Sequence, residues 1–286
     1  MATVKFWDHT NQMPLGREYE AYHFVGSNAS PVVSHSHSFF EIFFFVSGHT
    51  RIVVEDMDFK PARGDVVIYP PGVMHRNIQL DTQVPYERFC LYATRAFLTS
   101  VSTVDYDIPG MLERITRDGQ YCFHVGEEDL NRLIHQVDQL ITGSDLQKPE
   151  DKILNRYQFV TFLIRAMGMM TSLEVVPQND LSRGMSDLIR YIILHVTEPL
   201  SLDDLANAFH VSKFYMLREF KSYTGISVHQ YVMIRRIQVS QDLIRHGAKP
   251  KDACFHSGFM DYSSYYRAFK ARTGMSPEQY RQSVQG

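Results

Sequence analysis

Two stretches of this chain say nearly the same thing. Phe220-Lys-Ser-Tyr-Thr-Gly-Ile-Ser-Val-His-Gln-Tyr231 and Phe269-Lys-Ala-Arg-Thr-Gly-Met-Ser-Pro-Glu-Gln-Tyr280 lie 49 residues apart and agree at seven of twelve positions. A repeat of that period marks a duplicated supersecondary unit, and few architectures accommodate one. Each copy follows a basic amphipathic stretch and closes on Thr-Gly, the pattern of a helix that stops. The end of the chain is therefore expected to be all-α and to hold two helix-turn-helix units.

The residues upstream of each phrase give the units their chemistry. Ser201 followed by Asp204 reads as an N-terminal cap, starting a helix that turns Leu205, Ala206 and Phe209 inward. That helix ends at His210-Val211, and Ser212 caps the next. Ala206 is the small residue that a close helix crossing needs, and His210 takes the left-handed turn position where glycine is more usual. On the second helix Tyr215, Met216 and Phe220 are expected to face the core. Phe214, Leu217, Arg218 and Lys221 then share the opposite face, with Lys213 at the helix start. Large apolar residues on an exposed face need a partner. In a DNA major groove they would meet thymine methyls, while Arg218 bonds to guanine and Lys221 to phosphate. The shift of 49 gives Ser263, Tyr266, Arg267 and Lys270, with Tyr265 and Phe269 inward. Between the units, Val228–His246 reads as one helix that holds two recognition helices about 34 Å apart, the spacing of successive major grooves. A helical bundle with solvated Arg and Lys is the bland alternative, and it leaves the repeat unexplained.

Charge supports a division into two parts. The net charge of −3 is the sum of +4 over residues 185–286, from 13 basic and 9 acidic residues, and −7 over the rest. An acidic module joined to a mildly basic one is expected. Residues 20–95 read as short strands punctuated by Gly, Pro, Asn and Asp. Helical periodicity begins near Glu127, where Leu130, Leu133, Ile134, Val137, Leu140 and Ile141 form one stripe. The stripe either covers its own domain's sheet or makes a dimer seam, and the seam of a homodimer is the expectation. A second helix is expected over about 150–173. The polar stretch 175–184, with Pro and Gly, reads as a linker. The expected fold is multidomain α+β: a barrel over 1–125, a helical dimerisation element over 126–174, the linker, and an all-α DNA-binding domain over 185–286.

Other features narrow the function classes. No stretch reaches the roughly 20 apolar residues of a membrane helix, and the N-terminus lacks a signal-peptide pattern. The three cysteines, Cys90, Cys122 and Cys254, are widely spaced and odd in number, as in a reduced cytoplasmic protein with buried thiols. No phosphate-binding glycine loop, Ser-His-Asp set or Cys-rich zinc pattern appears.

His35-Ser-His37-Ser-Phe-Phe-Glu41, with Gly48 after it, resembles the first motif of cupin barrels. Gly64 followed by Pro70-Pro-Gly72-Val-Met-His75 resembles the second, although Asn77 follows His75 by only two residues. His35, His37 and Glu41 share parity on an extended strand, and His75 would arrive from a neighbour. Three histidines and a carboxylate are a ligand set for Fe, Mn, Ni or Zn. The alternative, a polar floor for an organic ligand, is preferred, so no metal cofactor is expected. Tyr69, Arg51 and Arg88, with Phe39 and Phe43, are further pocket candidates, and aromatic faces among His, Glu and Arg suit a sugar or related metabolite.

The region from about Met185 to Val284 resembles the DNA-binding domain of the AraC/XylS family of bacterial transcription regulators. The resemblance rests on Gly258-Phe259, Asp261-Tyr-Ser263, Phe269-Lys270, Thr273-Gly274, Ser276-Pro277 and Tyr280-Arg281. The family usually has Ile-x-x-Ile-Ala where this chain has Pro250-Lys-Asp-Ala-Cys254, so Pro250 is expected to shift that helix start. The resemblance implies a non-enzymatic regulator, usually an activator working with RNA polymerase, that binds a double-stranded DNA operator and answers a small-molecule effector. Ligand would act by ordering an arm before Glu20. The alternatives are a metal-dependent cupin enzyme or a metal sensor fused to a DNA-binding tail.

Overall fold

A computed structural model describes residues 18–26, 33–142, 148–170 and 183–285. The chain divides into two compact units, Met1–Asn179 and Asp180–Gly286. The expected arm (apart from Glu18 and Tyr19) and most of the expected linker lie outside the described residues.

Among its described residues the first unit has eight strands: β1 (Tyr19–Gly26), β2 (Phe39–Ser47), β3 (Thr50–Val54), β4 (Met57–Phe59), β5 (Asp65–Tyr69), β6 (His75–Gln79), β7 (Tyr86–Thr94) and β8 (Cys122–His124). They form a five-stranded sheet in the order β1-β7-β2-β5-β8 and a three-stranded sheet in the order β4-β3-β6. Strand β2 explains the larger sheet. Its run Phe39–Val46 is buried throughout because both faces are covered. Phe39, Phe43 and Phe45 point into a cluster with Ile52, Val54, Phe59, Tyr69 and Tyr86, which fills the space between the sheets. Phe40, Ile42, Phe44 and Val46 point the other way, into a core shared with the helices. A barrel-like interior thus has a helical layer behind one wall.

Those helices are α1 (Arg95–Ser100), α2 (Ile108–Ile115), α3 (Glu127–Thr142) and α4 (Pro149–Met170). The first two and β8 fall where the sequence showed no clear period, although Thr94 and Asp107 cap α1 and α2 with their side chains. The stripe on α3 corrects the expected seam. Leu130, Leu133, Val137 and Leu140 are buried in the core behind the large sheet, and Ile134 and Ile141 pack against it. Helix α3 lies on β1 and α4. Residues spent inside their own domain are not free to line a seam, and an amphipathic helix serves both arrangements with the same period.

The second unit holds α5 (Arg183–Leu194), α6 (Leu202–Ala208), α7 (Lys213–Thr224), α8 (Val228–Arg245), α9 (Pro250–His256), α10 (Tyr262–Thr273) and α11 (Pro277–Gln285). The repeated phrase accounts for itself as scaffold. Phe220 meets Tyr231 edge-on at 5.5 Å, and Phe269 meets Tyr280 in the same manner at 5.5 Å. Thr224 and Thr273 donate back to the carbonyls of Phe220 and Phe269 at 2.8 Å. Gly225 and Gly274 then take the left-handed conformation that ends α7 and α10, at φ 80 and 73. Ser227 and Ser276 start α8 and α11 by exchanging hydrogen bonds with Gln230 and Gln279. Among the side chains that the two copies share, the lysines, Lys221 and Lys270, are exposed and take no part in these contacts.

The two helix-turn-helix joints differ by one residue. Helices α6 and α9 start 48 residues apart, and α7 and α10 start 49 apart. Helix α9 thus starts one residue earlier than the 49-residue repeat would place it, with Pro250 in the first helical position, which its fixed φ suits. His210 holds the left-handed turn at φ 53, and Gly258 holds its counterpart at φ 91. Gly258 cannot be replaced as His210 is. A Cβ there would come within 2.9 Å of the Thr197 backbone. Arg236, from α8, fixes that backbone by donating to the carbonyls of Val196 at 2.9 Å and Glu198 at 2.8 Å. Ala206 and Cys254 fill equivalent small positions, and their carbonyls accept the matching bonds from Val211 and Phe259.

Candidate functional site

Three histidines and a glutamate converge inside the first unit. His35 and His75 face each other through a backbone bridge between the chain before β2 and the start of β6. His37 lies two residues before β2 and stacks on Phe39 at 3.9 Å, and His75 stacks on Tyr69 at 3.8 Å. Tyr69 in turn donates to Asn77 at 2.9 Å, which gives the displaced Asn of the second motif its role. Glu41 stands on β2, with its Oε2 2.9 Å from His37 Nε2 and 3.6 Å from His75 Nε2. His37, Glu41 and His75 are all buried.

The protons of this cluster follow from its backbone contacts. His37 Nδ1 lies 2.8 Å from the Phe39 carbonyl, and His75 Nδ1 and His35 Nδ1 lie 3.0 Å from the carbonyls of Val73 and Val33. A carbonyl only accepts, so each Nδ1 carries hydrogen and each Nε2 of a neutral ring presents a lone pair. Burial lowers the pKa of His37, an effect that its contact with Glu41 opposes. Burial works to raise Glu41, yet hydrogen bonding to His37 and His75, which needs a proton on the Nε2 that faces the carboxylate, outweighs it and holds the carboxyl well below its ordinary range. Burial, together with His75, lowers His35 strongly. The cluster is rich in acceptors and short of protons. It calls for a shared proton, a cation, or the hydroxyl or ammonium groups of a ligand.

Donor atoms of His37, Glu41 and His75 lie within 4.8 Å of one another, so these three residues could hold a metal ion. Their Nδ1–carbonyl bonds are the support that metal-bound histidines use. His35 stands apart from that set. The other pocket candidates divide. Tyr69 joins the cluster through its ring, and Arg88 projects into the interior four residues along β7 from Tyr92. Arg51 does not enter it. Its neighbours Ile52 and Val54 face inward, and Arg51 pairs with the buried Asp58 on β4. Strand alternation puts Arg51 on the outer face. Interior residues that sequence reasoning did not single out are Phe24, Tyr86 and Tyr92, which share the inward parity of their strands.

The second unit presents its polar groups outward. On α7, Lys213, Phe214, Arg218 and Lys221 are exposed and Leu217 is half-buried. Phe214 shows 77% of its surface. Tyr215, expected in the core, is 48% exposed, because the buried stripe is Met216, Phe220, Tyr223 and Thr224 and excludes it by one helical step. Its ring supports the Arg218 guanidinium at 5.5 Å. Arg218 also bonds to Glu219, and Lys213 to Asp203, each at 3.0 Å. On α10, Ser263, Tyr266, Arg267 and Lys270 are exposed, while Tyr265 and Phe269 are buried. Arg267 reaches the Ser264 hydroxyl at 3.3 Å. Each second helix thus offers an Arg–Lys pair one turn apart on its open face.

A buried polar cluster inside a double-sheet domain, in one unit, and a pair of helix-turn-helix motifs, in the other, fit a DNA-binding transcription regulator with a ligand-binding domain. The comparisons with known proteins agree. Residues 19–150 match the family model of the AraC-like ligand binding domain, and residues 205–283 match that of a helix-turn-helix domain. The chain belongs to the AraC family of DNA-binding transcription regulators. It is similar to the uncharacterized HTH-type transcriptional regulator YbfI of Bacillus subtilis (strain 168), at 25% identity over 89% of this chain and 88% of that protein. It is also similar to the HTH-type transcriptional activator RhaS of Escherichia coli O157:H7 (strain EC4115 / EHEC), at 26% identity over 59% of this chain and 61% of RhaS. Among solved structures, ToxT from Vibrio cholerae is 14% identical over 94% of this chain and 100% of that chain, with a TM-score of 0.38.

Proposed function

We propose that this regulator is controlled by a small molecule bound in the barrel-like interior, and that α7 and α10 read two successive parts of one operator. The observation that carries the reading is the contrast of the two Arg–Lys faces with the buried His37-Glu41-His75 cluster. The first is aimed at an external polyanion and the second at an internal ligand. Arg218 and Arg267 are the base readers, Lys213, Lys221 and Lys270 bind phosphate, and Phe214, Leu217, Ser263 and Tyr266 line the groove contact. Activation through RNA polymerase is the direction favoured by the likeness to RhaS. Among the described residues no helix is long and apolar enough to cross a membrane, in keeping with a regulator working in the cytoplasm. A homodimer belongs to this reading. With the α3 stripe consumed, the apolar surface left for a second copy is on α4, where Ile153, Leu154, Tyr157 and Ile164 are exposed.

Linkage supplies the test. A ligand that controls the protein must change DNA affinity by the factor by which DNA changes ligand affinity. Saturating ligand that leaves operator affinity, dimer geometry and transcription unchanged contradicts the sensing half of the proposal.

The acceptor-rich cluster favours one second reading, a metal-responsive regulator in which His37, Glu41 and His75 hold a divalent ion. Metal analysis of the purified protein beside its His37→Ala variant separates the readings. A stoichiometric ion that disappears with the substitution supports the metal.

A further inference from the structure

Strand β7 turns Tyr86, Arg88, Cys90 and Tyr92 toward the interior. The Arg88 guanidinium carbon lies 5.2 Å from the ring centre of Tyr86, 5.7 Å from that of Phe24 and 5.8 Å from that of Phe43. An arginine has five N–H donors and a charge it cannot shed. Here, among the described residues, the buried Nε has no hydrogen-bond partner, and the only polar group that the Tyr86 hydroxyl leans toward is this same guanidinium. The inward-facing carboxylates are engaged elsewhere, Glu41 with His37 and His75, and Glu20 with the Tyr22 hydroxyl. Aromatic faces attract the cation but accept none of its N–H groups in the planar fork that a carboxylate matches. Stability alone would place an apolar side chain at this position. Arg88 keeps partial exposure, as does Phe24 beside it.

The two ends of the interior are complementary. The Glu41 row pairs with Tyr92 and the Phe45 row with Arg88, four residues further along β2, so an acceptor end faces a donor end across Phe43. One arginine, in an interior that also holds Glu20 and Glu41, offsets a single negative charge and cannot offset the two of a phosphate monoester. We infer that the effector is a small monocarboxylate, its carboxylate held by Arg88 and its hydroxyl or ammonium groups turned to Glu41 and His75. This rests on the reading above that the interior is the effector site.

Thermal unfolding of the full chain tests it with three pairs of probes: D-galacturonate and D-galactose, D-gluconate and D-glucitol, 4-aminobutanoate and 4-aminobutanol. At least one carboxylate is expected to raise the melting temperature of the first unit while its neutral counterpart does not. In Arg88→Gln the concentration needed for the same rise should increase by about tenfold or more, and Arg88→Lys should lie between. Without ligand, Arg88→Met should melt no lower than the parent, since the arginine is kept for the ligand. If neutral compounds act and carboxylates do not, or if Arg88→Gln responds like the parent, the Arg88 assignment is overturned while the effector site stands. If no compound acts, both are contradicted. Arg88→Met melting several degrees lower would assign the arginine to the fold and overturn the inference by itself.

Discussion

The first unit hides its chemistry and the second displays it. Inside the barrel-like unit, His37, Glu41 and His75 are buried with too few protons among them, and the Arg88 Nε is left without a partner. In the second unit the core around α8–α10 is mainly apolar, with Ser240 and Tyr265 meeting inside it at 2.6 Å, and the candidate contact residues other than Leu217 stand in solvent. The difference teaches where each function draws on stability. A site that must enclose a ligand holds polar groups away from water and weakens the empty fold. A site that docks on DNA leaves its cations hydrated until the moment of binding, at almost no cost to the free protein.

The sharpest break between core and contact face comes from truncating the repeated phenylalanines. Phe220→Ala and Phe269→Ala should each lower the stability of the second unit by about 3–5 kcal/mol in chemical denaturation. Equal tolerance of both changes would show that the repeated Phe–Tyr contacts are not its core. Next, Arg218→Ala and Arg267→Ala should each cost about 1–3 kcal/mol in binding to a specific site and relax preference at one base pair. Their stability should stay within about 0.5 kcal/mol of the parent. Equal losses on specific and random duplexes would remove the base-reading role.

Acid should separate the units. The His37 pKa is lowered, so the unfolded chain takes up protons first as pH falls below about 6.5, and that stability is lost through the lower folded value. Glu41 is also lowered, and its contribution is lost later, below the ordinary carboxylate range. The first unit should therefore melt at lower temperature at pH 5 than at pH 7, and His37→Gln should flatten the slope. The second unit has no buried histidine among its described residues and should respond less over this window. The smallest expected effect is that of Lys221→Ala or Lys270→Ala, a uniform weakening on all sequences with the salt dependence reduced by about one ion.

Legibility in the sequence follows the same division. Caps, the His210 turn and the inward Phe220 and Phe269 were readable because each is set by near neighbours along the chain. Tyr215 was not, because it sits at the edge of the apolar stripe, where one step of 100° decides exposure. Strand β2 announced its burial, and parity placed Glu41 inward. Arg51 escaped the same rule because both strand faces around it carry apolar residues, Ile52 and Val54 on one and Val53 on the other. The α3 stripe showed that something covers it, and only tertiary packing showed that the cover is its own domain. Arg88 was visible as a candidate, but its missing partner is a property of the folded interior.

The central claim, that α7 and α10 jointly read one operator, is tested most directly by selecting bound sequences from a randomised duplex pool with the full chain. The account predicts an enriched site with two conserved blocks whose centres lie about 10–10.5 base pairs apart. Arg218→Ala should erase preference in one block and Arg267→Ala in the other. No enrichment, or one block indifferent to both substitutions, would contradict it.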